Sequence, residues 1–575
     1  MCGIFCAIGP NEQTAEQAQY ADHANQQQAY RGPDAAGVHV IHMGSISITL
    51  AMTRLRITDQ SDIPVPYRYP QWGITLAYNG EIYNWKEIRA ELDNPWETNC
   101  DAEVLAAAWF HEGPKCLDRL NGMWSFILVD ENTQSVWACR DRAGEKPLYL
   151  AREPNNPDTT YFASEIKGLP IALTEQPCLD VEIFDFDCRS ELPIANVTAV
   201  EPATLLHVDL IANTTTSRKW WSLPHEADQE QVCTLPKYTE TIDELRHLIS
   251  NAIKIRVPEQ VQYGILLSGG LDSAIIQAIA KSDHLYCLTF PDYDTLNVSD
   301  MAYLAAKGSP VQEVTFSRQD LIDILPTVAY HLDTPATWTA ICQWHTFKRA
   351  ASDKCQVVIS GEGADELFLG YTRYRILWRL SQIFTDPLLV DYQPLAYYYL
   401  QRSADDILAG ALNRADIGNR EAYYGVKKIV QEYGAHATDA DLATRMSRID
   451  WATTMQVLLR MADRMASAHS IENRSPFLDH RVIELATSLP LSWKIAQQSN
   501  KTILRDVAYR FGVHPRVVHE QTKRGFTIPW PQWRSDPGTA QLARKTRGVW
   551  DRSDYAEMSL KAWRDNCLRG PAPKQ

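Results

Sequence analysis

The stretch Tyr263-Gly264-Ile265-Leu266-Leu267-Ser268-Gly269-Gly270-Leu271-Asp272-Ser273 decides the fold of the C-terminal half of the chain. Tyr263–Leu267 is a short apolar strand and the glycine pair is a turn. A helix follows through Ala274–Ala280, and Leu285–Phe290 reads as the next strand. Strand, glycine turn, helix, strand is a βαβ unit, which predicts a parallel sheet with right-handed crossovers. Glycines at the handover let backbone N–H groups approach a phosphate, and a helix N-terminus favours an anion. A tight turn also needs such a pair, so the pair alone is weak evidence. The loop lacks the Gly-Lys-Ser/Thr of a Walker loop, so cleavage at a γ-phosphate is not its natural reading.

Downstream, the apolar strand Val357-Val358-Ile359 runs into Ser360-Gly361-Glu362-Gly363-Ala364-Asp365-Glu366. On position alone this could be a solvated acidic turn. In an open α/β sheet, however, the C-terminal ends of strands are where ligands bind. Asp272 and Asp365 suit a shared Mg²⁺, a hard cation that takes carboxylate, water and phosphate oxygens. Next come Ser470-Ile471-Glu472-Asn473-Arg474-Ser475-Pro476-Phe477-Leu478-Asp479, then Lys501-Thr502-Ile503-Leu504-Arg505 and Thr522-Lys523-Arg524-Gly525-Phe526. Taken alone, these read as a helix end and exposed basic residues. Beyond about residue 370 the pattern is mostly helical. Upstream, Thr241-Ile242-Asp243-Glu244 has capping-box spacing. Ile242, Leu245, Ile249, Ala252 and Ile253 then mark one face of an amphipathic helix.

The N-terminal part has another texture. Ser45–Met52, Gly73–Tyr78, Trp124–Val129 and Ser135–Arg140 read as short β segments, and Asp101–His111 as a helix. The chain opens Met1-Cys2-Gly3-Ile4-Phe5. Removal of Met1 would give Cys2 a free α-amino group, which ordinarily titrates at about 7.7–8.0 against about 8.5 for the thiol. The amine could then take the thiol proton through a water, uniting nucleophile and base in one residue. Behind Cys2 stand Arg31-Gly32-Pro33-Asp34, Arg54-Leu55, Tyr78-Asn79-Gly80-Glu81-Ile82-Tyr83-Asn84 and Cys100-Asp101-Ala102-Glu103. Singly, several of these are also ordinary turn chemistry.

As an ordered set behind Cys2, these motifs closely resemble the glutamine amidotransferase domain with an N-terminal cysteine nucleophile. Ser268–Ser273 resembles the pyrophosphate loop of ATP pyrophosphatases. With the later motifs, the resemblance spans residue 2 to about 530, and the family is asparagine synthetase of the glutamine-hydrolysing type. It implies an α+β N-terminal-nucleophile sandwich of antiparallel sheets with covering helices. An α/β ATP-pyrophosphatase domain on a parallel sheet, with a helical C-terminal part, would follow. The expected boundaries are residues 1–222, a polar linker at 223–236, and 237–575. Asp141–Tyr149 and Phe162–Lys167 extend the match and are read as structural or domain-contact segments.

By that resemblance Cys2 hydrolyses glutamine through a γ-glutamyl thioester, with Asn79 and Gly80 as the oxyanion hole. Arg54 and Asp101 would hold the α-carboxylate and α-amino group, a guanidinium fork and a carboxylate matched to opposite charges. Asn79 and Glu81 belong to the same glutamine pocket. ATP would bind at Leu267, Ser268, Gly269, Gly270, Asp272, Ser273, Ser360 and Gly361, and Mg²⁺ at Asp272 and Asp365. Lys501 would face the phosphate and the adenylate, while Glu362 helps ammonia attack. The expected reaction amidates a carboxylic acid through an acyl-adenylate, releasing AMP, pyrophosphate and glutamate, with aspartate as the default acceptor.

Bulk properties fit. A chain of 575 residues favours more than one domain. A net charge of −15 without a dense basic block argues against nucleic acid. No apolar run is long enough for a membrane span, and the N-terminus lacks a charged signal region. The 12 cysteines are scattered without a Cys-x-x-Cys pair, as for reduced thiols in a cytoplasmic protein. Oligomeric state is left open, a homodimer included. Three rivals stand: another acceptor with the same mechanism, a β-lactam-forming synthetase, and a catalytically dead regulatory protein. The intact Cys2 set argues against the second and retention of the whole residue set against the third. For the acceptor, Thr334–Trp344 carries two tryptophans and no arginine or lysine where some family members place an arginine. Other members lack that arginine too. Ser475 also stands where valine is commoner. These features fit a larger or less anionic acid better than a small dicarboxylate.

Overall fold

The computed structural model describes residues 1–153, 156–176, 192–212, 214–224, 234–290, 298–335, 337–383, 442–521 and 552–568. Its first half contains β1 (Gly3–Pro10), β2 (Ala35–Met43), β3 (Ile46–Arg54), β4 (Tyr67–Tyr69), β5 (Ile74–Ile82) and β6 (Gly122–Asp130). These are followed by β7 (Ser135–Arg140), β8 (Tyr149–Glu153), β9 (Asn156–Ala163), β10 (Val197–Ala199), β11 (Thr204–Asp209) and β12 (Thr214–Lys219). They form two antiparallel sheets, ordered β10-β8-β9-β1-β3-β2 and β12-β11-β7-β6-β5-β4.

β1 is buried on both faces, which explains its nearly continuous apolar sequence. Ile4, Cys6 and Ile8 join the core between the sheets, while Phe5 and Ala7 meet Ala21 and Ala24 of helix Thr14–Gln27. On the far side, helix Asp101–Glu112 packs on the second sheet, where Trp109 meets Phe126 edge-on at 5.8 Å. The expected sandwich with covering helices is present. β5 runs on past the anticipated end at Tyr78, so Asn79-Gly80-Glu81 is strand and not turn. Gly80 lies opposite Trp124 of β6, and a Cβ there would come within 2.3 Å of the Met123 carbonyl.

The second half is built on β13 (Tyr263–Leu266), β14 (Leu285–Leu288), β15 (Val311–Val314), β16 (Val357–Ile359) and β17 (Glu472–Arg474). They form a parallel sheet ordered β15-β14-β13-β16-β17. The chain leaves β13 through helix Leu271–Ala280 toward β14, while β16 lies on the other side of β13. The strand order therefore reverses between β13 and β16, and the loops Ser268–Gly270 and Ser360–Gly363 emerge on either side of that crevice. Helices Thr372–Ile383, Leu442–Ala452, Thr454–Ser467, His480–Ser488 and Thr502–Arg510 supply the helical part.

Two local readings change. The helix expected to start at the Thr241 capping box begins at Leu235, where Thr234 accepts from the Lys237 N–H. Thr241 is interior to that helix and its hydroxyl donates to the Lys237 carbonyl at 2.9 Å. Glu472–Arg474 is a buried strand and not a helix end, and Lys501 is buried and not an exposed base. Thr522–Phe526 and residues 225–233 of the expected linker lie outside the described residues.

The halves share cores. Leu55, Ile57 and Ala143 pack with Ile265, Leu267 and Phe477 of the second half. Trp563, in a helix of the C-terminal tail that no motif marked, is buried in a core cluster that also holds Phe5, Tyr161 and Ala329, and its ring N–H donates to the Asp333 carbonyl at 3.0 Å. Phe126→Ala is expected to destabilise the first half by about 3–5 kcal/mol, the usual cost of emptying a buried phenylalanine site. It would be read as a lower urea midpoint, and a change under about 1 kcal/mol would contradict the packing described.

Candidate active site

Cys2 directly precedes β1 and is buried, with its N–H donating to Asn79 Oδ1 at 2.9 Å. Asn79 Nδ2 is also buried and has no hydrogen-bond partner. Across from Gly80, Trp124 turns its N–H and its carbonyl to Asp141, so the Gly80 N–H points away from β6. A thiol beside two uncommitted N–H donors can stabilise charge developing on a carbonyl oxygen. Burial pushes the Cys2 thiol up, opposed by the Met1 amine, the Leu55 N–H and Arg54.

Arg54 ends β3 with its guanidinium on the Ser61 and Asp59 carbonyls at 2.9 and 2.8 Å. Asp101 opens its helix and accepts from Tyr78 Oη at 2.6 Å and the Ile82 N–H at 2.9 Å. Glu81 accepts from the Thr58 hydroxyl and lies 3.3 Å from Arg474. Burial and the neighbouring Asp101 push the Glu81 carboxyl up to about 8, against the pull of Arg474. Glu472 behaves oppositely. Although burial raises it, Arg474, the N-terminal amine and Lys146 bring it down to about 2. One pocket thus sets a reluctant carboxylate and a committed one around a single guanidinium.

In the second half, Ser268, Gly269, Gly270, Asp272, Asp365 and Lys501 line one cleft with Gly370, Asn500 and Arg505. Gly269 holds φ +71°, a left-handed conformation, and a Cβ on Gly370 would fall 1.9 Å from Asp365 Oδ1. Lys501 Nζ bridges Asp272 at 2.5 Å and Asp365 at 2.8 Å. Asp272 Oδ1 is buried without a hydrogen-bond partner. Two carboxylates with an unspent oxygen fit Mg²⁺ only together with ligand oxygens, because no cluster of three His, Cys, Asp or Glu suited to a metal occurs among the described residues. Ser273 is held by Ser268 and the Gly270 carbonyl, at 3.3 and 3.2 Å. The Leu267 N–H is spent on the Tyr286 carbonyl, leaving only its own carbonyl for a ligand. Ser360, Gly361 and Glu362 stand on the adjacent loop. The Ser360 hydroxyl donates to Glu362, and Gly361 approaches Asp272 closely.

The sequence-derived residues therefore gather at two places, one in each half. A roomier cavity of about 260 Å³ lies elsewhere, between Trp221 and Trp451, with Arg140 and Arg142 on its wall. Arg140 and the two terminal nitrogens of Arg142 donate to backbone carbonyls, and none of the sequence-derived site residues lines this cavity. Sequence reasoning missed the roles of Arg31, Glu472 and Arg474. All three stood inside quoted motifs, but no local pattern marked their partners.

Comparison with known proteins agrees with this division. Residues 1–221 match the glutamine amidotransferase domain family and residues 244–559 the asparagine synthase family. The glutamine-hydrolysing asparagine synthetase 1 of Bacillus subtilis is 28% identical over 93% of this chain and 88% of its own. Asparagine synthetase 3 of the same organism is 25% identical over 91% and 88%. The Zea mays enzyme is 30% identical over 64% and 60%. No described helix is long and apolar enough to cross a membrane. This chain belongs to the asparagine synthase family of ATP-dependent, glutamine-hydrolysing ligases.

Proposed function

We propose that the protein converts aspartate to asparagine, using glutamine as nitrogen donor and ATP as activator, with residues 1–222 and 237–575 as its two working domains. The observation that carries this is the Cys2–Asn79 contact, with Asn79 Nδ2 left unspent beside the thiol. Once Met1 is removed, the Cys2 amine accepts the thiol proton and the sulfur attacks the glutamine amide carbon. Asn79 and Gly80 N–H groups receive the oxyanion. Collapse expels the amide nitrogen as ammonia, the proton returning to it, and water releases glutamate and the thiol. Arg54 and Asp101, with Glu81, orient the amino-acid end of glutamine.

In the second domain the aspartate side-chain carboxylate attacks the α-phosphorus of ATP, giving an acyl-adenylate and pyrophosphate. The glycine loop presents N–H groups to the phosphates, and Lys501 supplies a cation there. Asp272 and Asp365 would hold Mg²⁺, which neutralises charge on leaving pyrophosphate when bound. Glu362 assists ammonia as it attacks the acyl carbon, and AMP leaves. Ammonia freed into water at neutral pH would be mostly protonated and no longer nucleophilic, which gives direct transfer between the sites its purpose.

A second acceptor remains in play for one reason. Around Thr334–Trp344, the buried Thr334 Oγ1, Gln343 Oε1 and Trp344 Nε1 have no hydrogen-bond partner, so that segment offers neutral polar groups and no cation. With glutamine, Mg-ATP and millimolar aspartate, asparagine and AMP are expected at a turnover of roughly 1 s⁻¹ or more. Background AMP with glutamine hydrolysis intact would reject aspartate in favour of another carboxylic acid.

Cys2→Ala is expected to abolish glutamine-dependent synthesis while preserving synthesis from ammonium salts. Loss of both in a folded variant would contradict the division of labour. Asp272→Asn and Asp365→Asn should each lower synthesis with either nitrogen source by on the order of 10²-fold or more, the scale of losing one preorganised electrostatic contact. Normal ATP–pyrophosphate exchange in both variants would remove the metal assignment.

The Glu81 carboxyl gives a pH prediction. Its raised value, about 8 in the empty site, leaves it largely neutral at pH 7. An arriving ammonium prefers the ionised form, so binding releases a proton and strengthens as pH rises. The KM for glutamine should fall about fivefold between pH 7 and 8.5, and Glu81→Gln should flatten that profile. An unchanged slope in the variant would place the titration elsewhere.

A further inference from the structure

β17 is short and belongs to the parallel sheet, yet two of its side chains reach the pocket of Cys2. Glu472 and Arg474 are two residues apart and so point to the same face, toward the first half. Arg474 Nε is 2.8 Å from Glu472 Oε1, its Nη1 donates to the Arg256 carbonyl at 3.1 Å, and its Nη2 lies 3.3 Å from Glu81 Oε2. The Tyr83 ring covers the guanidinium, with the centroid 5.4 Å away. The other end of Glu472 lies 3.6 Å from the amine of Met1, the residue removed before Cys2 can act. All of this is sealed from water, since Arg474 and Glu472 are each 2% exposed.

The backbone of Arg474 faces the other site. Arg474 pairs with Ile359 of β16, and its carbonyl accepts the Ser360 N–H at 3.0 Å. Ser360 in turn donates its hydroxyl to Glu362. A single residue therefore holds Glu81 with its side chain and the root of the Ser360–Glu362 loop with its main chain.

We propose that Arg474 is a positioning residue that couples the two active sites, so that a filled glutamine pocket fixes the loop bearing Glu362. The coupling rests on the functional reading given above. An ammonium arriving between Asp101 and Glu81 favours the ionised Glu81, which tightens its pair with Arg474. The guanidinium is a planar fork held on three sides, so the pull passes to β17 instead of being absorbed by the side chain. β17 is hydrogen-bonded to the amide at the base of the acidic loop. Lysine would keep the charge but lose the fork.

The test measures glutamate and pyrophosphate together in the full-length enzyme with glutamine, Mg-ATP and the acceptor acid, and pyrophosphate again with ammonium replacing glutamine. The parent should yield the two products in near-equal amounts, and a parent that makes no pyrophosphate refutes the functional reading itself. In Arg474→Gln the glutamate-to-pyrophosphate ratio should rise at least fivefold, with ammonium-driven pyrophosphate release within twofold of the parent. Arg474→Lys retains a cation for Glu472 and should show the same split, which keeps the test available if the glutamine variant fails to fold. A ratio within twofold of the parent in a folded variant overturns the proposal. So does an equal fall in both measurements, because that is what a purely structural arginine would give.

Discussion

A guanidinium sealed from water dictates how the two halves of this chain meet. Arg31 is fully buried. Its Nε donates to the Cys2 carbonyl at 2.8 Å, and its two terminal nitrogens reach Glu165 at 2.8 Å, Ser467 at 3.1 Å and Asp463 at 2.9 Å. Glu165 also takes Arg464 and Lys167, each at 2.5 Å, and both of these reach Asp333, at 3.2 and 2.9 Å. Arg31, Glu165 and Lys167 come from the first half, and Asp333, Asp463, Arg464 and Ser467 from the second. A buried network of this kind is weak evidence for extra stability, because desolvation offsets much of the attraction. Removing one member is another matter, since an uncompensated buried charge costs about 3–5 kcal/mol. The halves therefore cannot separate cheaply, and the peptide of Cys2 is placed by residues of both.

Against this background of satisfied charge, the unsatisfied groups carry information. Native interiors pair nearly all of their buried polar atoms, and exceptions need a reason. Asn79 Nδ2 beside the thiol and Asp272 Oδ1 beside the glycine loop are such exceptions. Each is surrounded by groups already committed: Arg54 to its own loop, Asp101 to Tyr78 and Ile82, Lys501 to two carboxylates. The same reasoning gives weight to the neutral, unpartnered groups near Trp344, where an acceptor bearing two negative charges would ask for a cation.

How much of this was legible in the sequence follows from the range of each interaction. The βαβ unit at Tyr263–Leu288 and strands such as Ser135–Arg140 were readable, because period and glycine placement act between near neighbours. The motif segments drew notice too, since a thiol near the start, a glycine loop and an acidic loop are each contiguous in sequence. The extent of β5 was not. Asn-Gly is a turn signal by propensity, but pairing with Ser125 and Trp124 across the sheet overrides it. The Thr241 capping box failed for a related reason: Thr234 offers an earlier cap, and Tyr238 packs edge-on against Trp493 one turn before Thr241. Least visible were the charges between the halves. Arg31 meets Ser467 across 436 residues of sequence, and Arg256 gives its carbonyl to Arg474 across 218. No local pattern announces a partner at that distance. A Glu-x-Arg spacing in a strand says only that two charges share one face, and here that face is buried. That burial obliges a matching partner to exist somewhere, and here Glu81, in the other half of the chain, supplies it.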